Sequence, residues 1–202
     1  MPRKSYHHGD LKNALIQAGI QILAKEGVAG LSLRKVASKA GVSHAAPYAH
    51  FTDKQALIAA ISTEGYRRLY ERIEDIIRQY ADDPSKQLLE TAWTYVDFAL
   101  TDPAHFKITF SGVIEQEKEH PAFVEMSQKS FGTVVQIVEA CQARGVLEAG
   151  PSDLVAVSVW SQVHGFASLV LEGQVSHTLL DRMSLREILI FSLNQITKVS
   201  IA

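Results

Sequence analysis

The side chains able to do chemistry are unevenly placed in this 202-residue sequence. From residue 1 to 54 stand eight basic residues, Arg3, Lys4, Lys12, Lys25, Arg34, Lys35, Lys39 and Lys54. Only three acidic residues, Asp10, Glu26 and Asp53, oppose them. Four of the eight histidines, His7, His8, His44 and His50, lie in the same stretch. The head therefore carries +5 and the remainder −7, so the total of −2 hides a basic head on an acidic body. Such asymmetry points to a polyanion-facing module joined to something else. The total alone would argue against a nucleic-acid partner, and its division argues for one.

The body offers less reactive chemistry. It has no G-x-S-x-G elbow, no H-E-x-x-H pair and no phosphate-cradling glycine run. Glu115, Glu117, Glu119 and His120 precede Pro121 and read as a solvated loop, not a metal site. Cys141, the single cysteine, makes no internal disulfide or multi-cysteine zinc site and reads as a core thiol. Trp160 and His164, four residues apart, share a helix face and read as packing or ligand lining. Trp93, Phe98, Phe106, Phe110, Phe123, Phe131, Trp160 and Phe166 are spread over four helices. They suit either ordinary core or an apolar pocket between helices. No enzyme, cofactor or metal is expected. The alternatives left open are an all-helical enzyme using His164, and a DNA-binding activator without an effector.

The elements that must position these residues are helical throughout, with no convincing strand. Leu11, Leu15, Ile16, Gly19, Ile22 and Leu23 recur at helix spacing, with Asp10 as N-cap and Gly27 closing the helix. Ser32 caps a short helix that Gly41 ends, and Ser43 caps another that ends near His50. Thr52 and Gln55 form a capping box before a long helix to about Tyr80. Asp83-Pro84 and Asp102-Pro103 restart the chain twice. Pro121 opens a helix to about Ala143, Pro151 one that ends before Gly173, and Leu185 to Val199 form the last.

Two of these segments are apolar on more than one face. Leu154 to Leu171 has no formal charge, yet Ser158, Ser161, Gln162, His164 and Ser168 interrupt it. A helix buried twice fits better than a membrane span. With the Leu185 helix it is expected to form half of an intermolecular four-helix bundle, hence a homodimer through the last two long helices. One cysteine and no visible signal peptide suggest a soluble, cytoplasmic protein.

Residues 32–51 hold the most specific pattern: two short helices joined by a tight turn at Gly41-Val42. Val36, Ala37, Val42, Pro47 and Phe51 share an apolar face, leaving His44, Ala45, Tyr48 and Ala49 outward. That is helix-turn-helix geometry, whose second helix enters the major groove.

Over residues 6 to 62 the sequence resembles the tetracycline-repressor-like (TetR) regulators. The elements in register are Ser32-Leu33-Arg34, Ala37, Ala40-Gly41-Val42-Ser43, Tyr48, His50-Phe51, Lys54 and Leu57. The leader Tyr6-His7-His8-Gly9-Asp10-Leu11 resembles one subgroup, whose Trp…His-Gly signature is matched by Trp160, His164 and Gly165. Pro47 departs from the pattern, standing where many relatives have an aliphatic residue.

The resemblance implies an all-α chain. A three-helix DNA-binding domain at residues 1–54 would precede an antiparallel bundle at 55–202 for effector binding and dimerisation. It implies a ligand-responsive regulator, most often a repressor, on a palindromic double-stranded operator. Arg34 would reach a guanine edge, His44 and Ala45 would lie over bases, Ala49 would be a further DNA-facing position, and Tyr48, His50 and Lys54 would contact the backbone. Ser32 and Ser43 would add contacts at the two helix starts, and Arg3 and Lys4 a mobile arm. Trp93, Phe98, Phe106, Phe110, Phe123, Phe131, Trp160 and His164 would line the site of a small apolar or aromatic effector. The sequence does not name that effector, the operator or the regulated genes.

Overall fold

The computed structural model describes residues 8–202. Among them are nine α-helices: α1 His8–Gly30, α2 Leu33–Ala40, α3 Lys54–Gln79, α4 Pro84–Thr101, α5 Pro103–Thr109, α6 Pro121–Ala143, α7 Ser152–Leu171, α8 His177–Leu180 and α9 Leu185–Leu193. Two 3₁₀ turns, Ala46–Ala49 and Glu117–Glu119, complete them, and the only β pairing among these residues is a bridge between Leu147 and Thr197. The all-α reading holds. Arg3 and Lys4, assigned to a DNA-contacting arm, lie outside the described residues.

Local chemistry explains most boundaries. Gly27 breaks α1 at φ 64, ψ −171, a conformation open in practice only to glycine. Asp10, expected as the N-cap, lies inside the helix, which starts at His8. At α3 the expected Thr52–Gln55 box is replaced. Asp53 caps instead, its Oδ1 accepting from Ala56 N at 2.8 Å, and the Gln55 amide oxygen accepts from Glu115 N at 3.3 Å. A carboxylate is the stronger acceptor for orphan N–H groups and sits one residue nearer the helix. Asp83 and Pro84 start α4 as expected, Asp83 accepting from Lys86 N. The last helix stops at Leu193 rather than near Val199. There Lys198 N donates to Val146 O at 2.8 Å, and the Asn194 side chain accepts from Ile201 N at 2.8 Å. These bonds compete with further helical turns.

The chain forms two compact units. The first holds residues up to Tyr66 and Pro103–Met126. Its core joins Leu15, Leu31, Val36, Phe51, Leu57, Ile58 and Ile61 to Ile108, Ile114 and Phe123. Here α1 packs on both α2 and α5. The His105 ring is fully buried, its Nε2 2.7 Å from the Ile61 carbonyl, and Ser62 Oγ donates to the Ile108 carbonyl at 3.3 Å. Gly65 makes that approach possible, since a Cβ there would stand 2.1 Å from Thr109 Oγ1 and 3.1 Å from His105 Nε2. Gly65→Ala is therefore expected to destabilise by about 1–3 kcal/mol through overpacking. Gly132→Ala meets nothing within 4 Å and serves as the control. Thermal melts followed by circular dichroism read the difference, and equal melting temperatures for both variants would refute the steric account.

The second unit holds Arg67–Asp102 and Ser127–Ala202. In it α4, α7 and α9 pack together around Leu88, Val96, Val159, Val163, Leu189 and Leu193. Arg186 of α9 pairs with Glu90 of α4 and lies 5.5 Å over the Trp93 ring. Cys141 is a buried structural thiol, donating to the Pro84 carbonyl at 3.3 Å. Burial, with the Asp83 charge adding, pushes it up to about 12.

Candidate nucleic-acid interface

The α2 segment begins at Ser32, whose side chain accepts from Lys35 N, and buries Leu33, Val36 and Ala37. This leaves Arg34 exposed on the opposite side, next to Lys35, which pairs with Glu26. Gly41 closes the helix at φ 70, ψ 30. Its N–H reaches the Ser38 carbonyl, and Val42 N donates to the Ala37 carbonyl at 3.0 Å. The bond pattern is a Schellman closure, and the left-handed residue at its centre favours glycine.

The next element is tighter than expected. Ala46–Ala49 is a 3₁₀ turn without a side-chain cap, so Ser43 does not cap it with its hydroxyl. The backbone carbonyl of Ser43 accepts instead, from Ala46 N at 3.0 Å. Pro47 supplies the reason. It has no N–H for a bond to residue 43, and its ring disfavours α-helix at Ala46. The i→i+3 bonds Tyr48 N to Ala45 O and His50 N to Pro47 O take over. Pro47 is buried, while His44, Ala45, Tyr48 and Ala49 are exposed, Tyr48 at 58%. In a 3₁₀ turn residues three apart eclipse, so Ala45 stands in line with Tyr48.

Two assigned backbone contacts have intramolecular engagements. Lys54 Nζ donates to the Val28 carbonyl at 2.6 Å, at the broken end of α1. An ammonium has three donors, so this bond anchors the α3 start and leaves two hydrogens for a phosphate. His50 Nε2 is buried without a hydrogen-bond partner, and its ring lies 6.3 Å from that of Phe51. His50 therefore has only Nδ1 to offer a backbone oxygen in this rotamer. Sequence reasoning missed Ser38, whose hydroxyl lies 3.0 Å from His44 Nε2. A serine on the exposed side of a short helix gives no periodic signal.

The assigned ligand residues do not form one cluster. Phe106, Phe110 and Phe123 lie in the first unit. There Tyr66, unpredicted, stacks edge-on to Phe110 at 5.2 Å and Phe123 at 5.8 Å. Burial, with Glu117 adding, pushes its hydroxyl up to about 12. Trp93, Phe98, Phe131, Trp160 and His164 lie in the second unit. In that unit Trp160 Nε1 donates to Tyr95 Oη at 3.2 Å, and Tyr95 Oη lies 2.7 Å from His164 Nδ1. Phe131 stands 6.3 Å from the Trp160 ring. Burial disfavours the charged form of His164 and lowers its pKa from the ordinary histidine value. Trp93 is engaged elsewhere, by Arg186, and Phe98 is buried. Among the described residues no cluster of His, Cys, Asp and Glu is placed to hold a metal ion.

Comparison with known proteins extends this picture. Residues 15–61 match the bacterial regulatory proteins of the tetR family, and residues 88–193 match the tetracyclin repressor-like C-terminal domain. The chain is 27% identical over 111 residues to the uncharacterized HTH-type transcriptional regulator YobS of Bacillus subtilis, covering 55% of this chain and 57% of that one. It is 31% identical over 91 residues to the class A tetracycline repressor from transposon 1721 of Escherichia coli, covering 43% and 42%. The chain thus spans about half the length of the curated relatives it matches. A protein of unknown function from Rhodococcus sp. RHA1 superposes with a TM-score of 0.78 at 30% identity, covering 96% of each chain.

Proposed function

Because this chain belongs to the TetR family of transcriptional regulators, we propose that it is a homodimeric, ligand-responsive DNA-binding regulator, acting as a repressor on a palindromic operator in the cytoplasm. The observation that carries the reading is the exposed surface made by α2 and the 3₁₀ turn. It presents Arg34, His44, Ala45, Tyr48 and Ala49 together, on a scaffold closed by Gly41 and anchored by Lys54. Arg34 reads guanine, since a guanidinium forks onto O6 and N7. Ala45 and Ala49 have only methyl groups and read thymine methyls. Tyr48 and Lys54 hold the phosphate backbone, with Ser32, Ser43 and His50 at its margins.

Two recognition elements of a dimer must stand roughly 34–36 Å apart, or a multiple of it, to meet successive major grooves. α7 and α9 form the dimer face in this reading. An effector that favours a different spacing lowers operator affinity by its differential affinity for the two states. The Tyr95–His164–Trp160 cluster supplies the polar anchor for that effector, a small apolar or aromatic molecule.

Selection from a pool of random duplexes followed by titration tests the reading. Arg34→Ala is expected to cost about 1–3 kcal/mol on the selected operator and to relax preference at one position per half-site. Lys54→Ala is expected to weaken binding on all sequences and to reduce the salt slope by about one. Equal losses of Arg34→Ala on selected and random DNA would remove its base-reading role.

A further inference from the structure

We infer that Ser38 is a positioning residue for base reading: its hydroxyl orients the His44 ring on the groove-facing surface. The inference rests on the DNA-binding reading of the first unit. Ser38 lies on the exposed side of α2, two residues before its end. Its carbonyl accepts the Gly41 N–H at 3.2 Å, and its hydroxyl meets His44 Nε2 at 3.0 Å. One residue thus engages both the turn's glycine and an exposed side chain three residues beyond it.

His44 depends on this contact because its own segment gives it little else. It precedes a 3₁₀ turn that has no side-chain cap, and it is exposed. An exposed histidine with two free torsions samples several rotamers, and a base contact must then select one. The bond to Ser38 selects it beforehand, which removes part of the ordering cost from binding. It also divides the ring's work. With Nε2 engaged by Ser38, Nδ1 is the nitrogen that meets DNA. A serine hydroxyl both donates and accepts, so it matches either neutral tautomer. Ser38 therefore sets where the ring points, while the base pair sets which tautomer is used. The acceptor form of Nδ1 suits the amino groups of adenine or cytosine, and the donor form suits guanine.

The role predicts a pattern that a scaffold serine would not produce. The experiment uses the full chain, the operator selected from random duplexes and every single-base-pair variant of it. Ser38→Ala is expected to weaken the selected operator by about two- to tenfold, the range for ordering one side chain. The loss should concentrate at the base pair whose preference His44→Ala also relaxes. Ser38→Thr keeps a hydroxyl and should retain both affinity and preference. In the His44→Ala background, Ser38→Ala should cost nothing further. A uniform loss across all sequences, or losses of the two substitutions that simply add, would overturn the inference. A lowered melting temperature of Ser38→Ala with base preference intact would overturn it as well, in favour of a structural role. If the unaltered chain enriches no sequence at all, the DNA-binding reading fails, and this inference fails with it.

Discussion

A chain cut after Tyr66 is expected not to fold, although it contains the whole helix-turn-helix. The reason lies in what completes its core. Ile108, Ile114 and Phe123, each at most 8% exposed, belong to the same buried cluster as Leu15, Leu57 and Ile61. Full burial of one such side chain contributes about 1.5–3 kcal/mol. Their joint loss, about 5–9 kcal/mol on that scale, is comparable to the total stability of a small domain, about 5–15 kcal/mol. The cut also removes the His105 ring from the Ile61 carbonyl, leaving the wall of Ile58, Ile61 and Gly65 facing water. A 66-residue domain has little surplus core with which to absorb this. Circular dichroism of fragment 1–66 should find partial helix and no cooperative thermal transition, against a cooperative one for the full chain. A cooperative melt of the fragment near the full chain's midpoint would show that the α5 segment is dispensable.

The same region shows where sequence reading reaches its limit. Gly27, Gly41, Asp83-Pro84 and Pro121 could be read because each acts locally: a glycine takes a backbone region closed to others, and a proline lacks its N–H. The helix-turn-helix was legible for the same reason, since turn chemistry and the apolar face lie within twenty residues. The periodicity of residues 103–109 discloses an apolar face but not which core receives it. That assignment depends on contacts such as Ser62 to Ile108, 46 positions apart, which leave no local pattern. Asp53 replaced Thr52 as the cap because two adjacent residues were both competent. Pro47 is legible as a departure from α-helix, yet its consequence, a 3₁₀ turn, depends on the summed i→i+3 bonds around it. The aromatic set was legible as composition. Its division between two units, and the placement of Tyr66 and Tyr95 beside it, depend on contacts between residues far apart in sequence, which leave no local pattern.

α7 and α9 present an exposed apolar face. Leu154 is 62% exposed and Phe191 63%, and Val157 and Leu169 add to the same apolar surface. Along α7 the residues between them are small: Ser158, Ser161, Gly165 and Ser168. A Cβ added at Gly165 would meet nothing within 4 Å, so the glycine is not needed by its own unit. Small residues flanked by large apolar ones let a second helix approach closely, and a C2 axis would bring the same face of another copy against it. The length and apolarity of α7 also satisfy the criterion for a membrane span. The serines on the exposed side, and the buried opposite side packed on α4, fit a protein partner better. Leu154→Asp with Phe191→Asp places two charges on the face without touching the core of one copy. Sedimentation should then find a monomer at micromolar concentration, with an unchanged melting transition for each unit that does not depend on dimerisation. Operator affinity should fall by about 10²- to 10⁴-fold, because the second half-site loses its tethered partner. Gly165→Leu, which fills the seam without charge, should lower dimer affinity in the same direction. Retention of the dimer by both variants, with operator affinity intact, would assign the interface to another face. Flotation of the unaltered chain with phospholipid vesicles would instead make lipid the occupant of this surface.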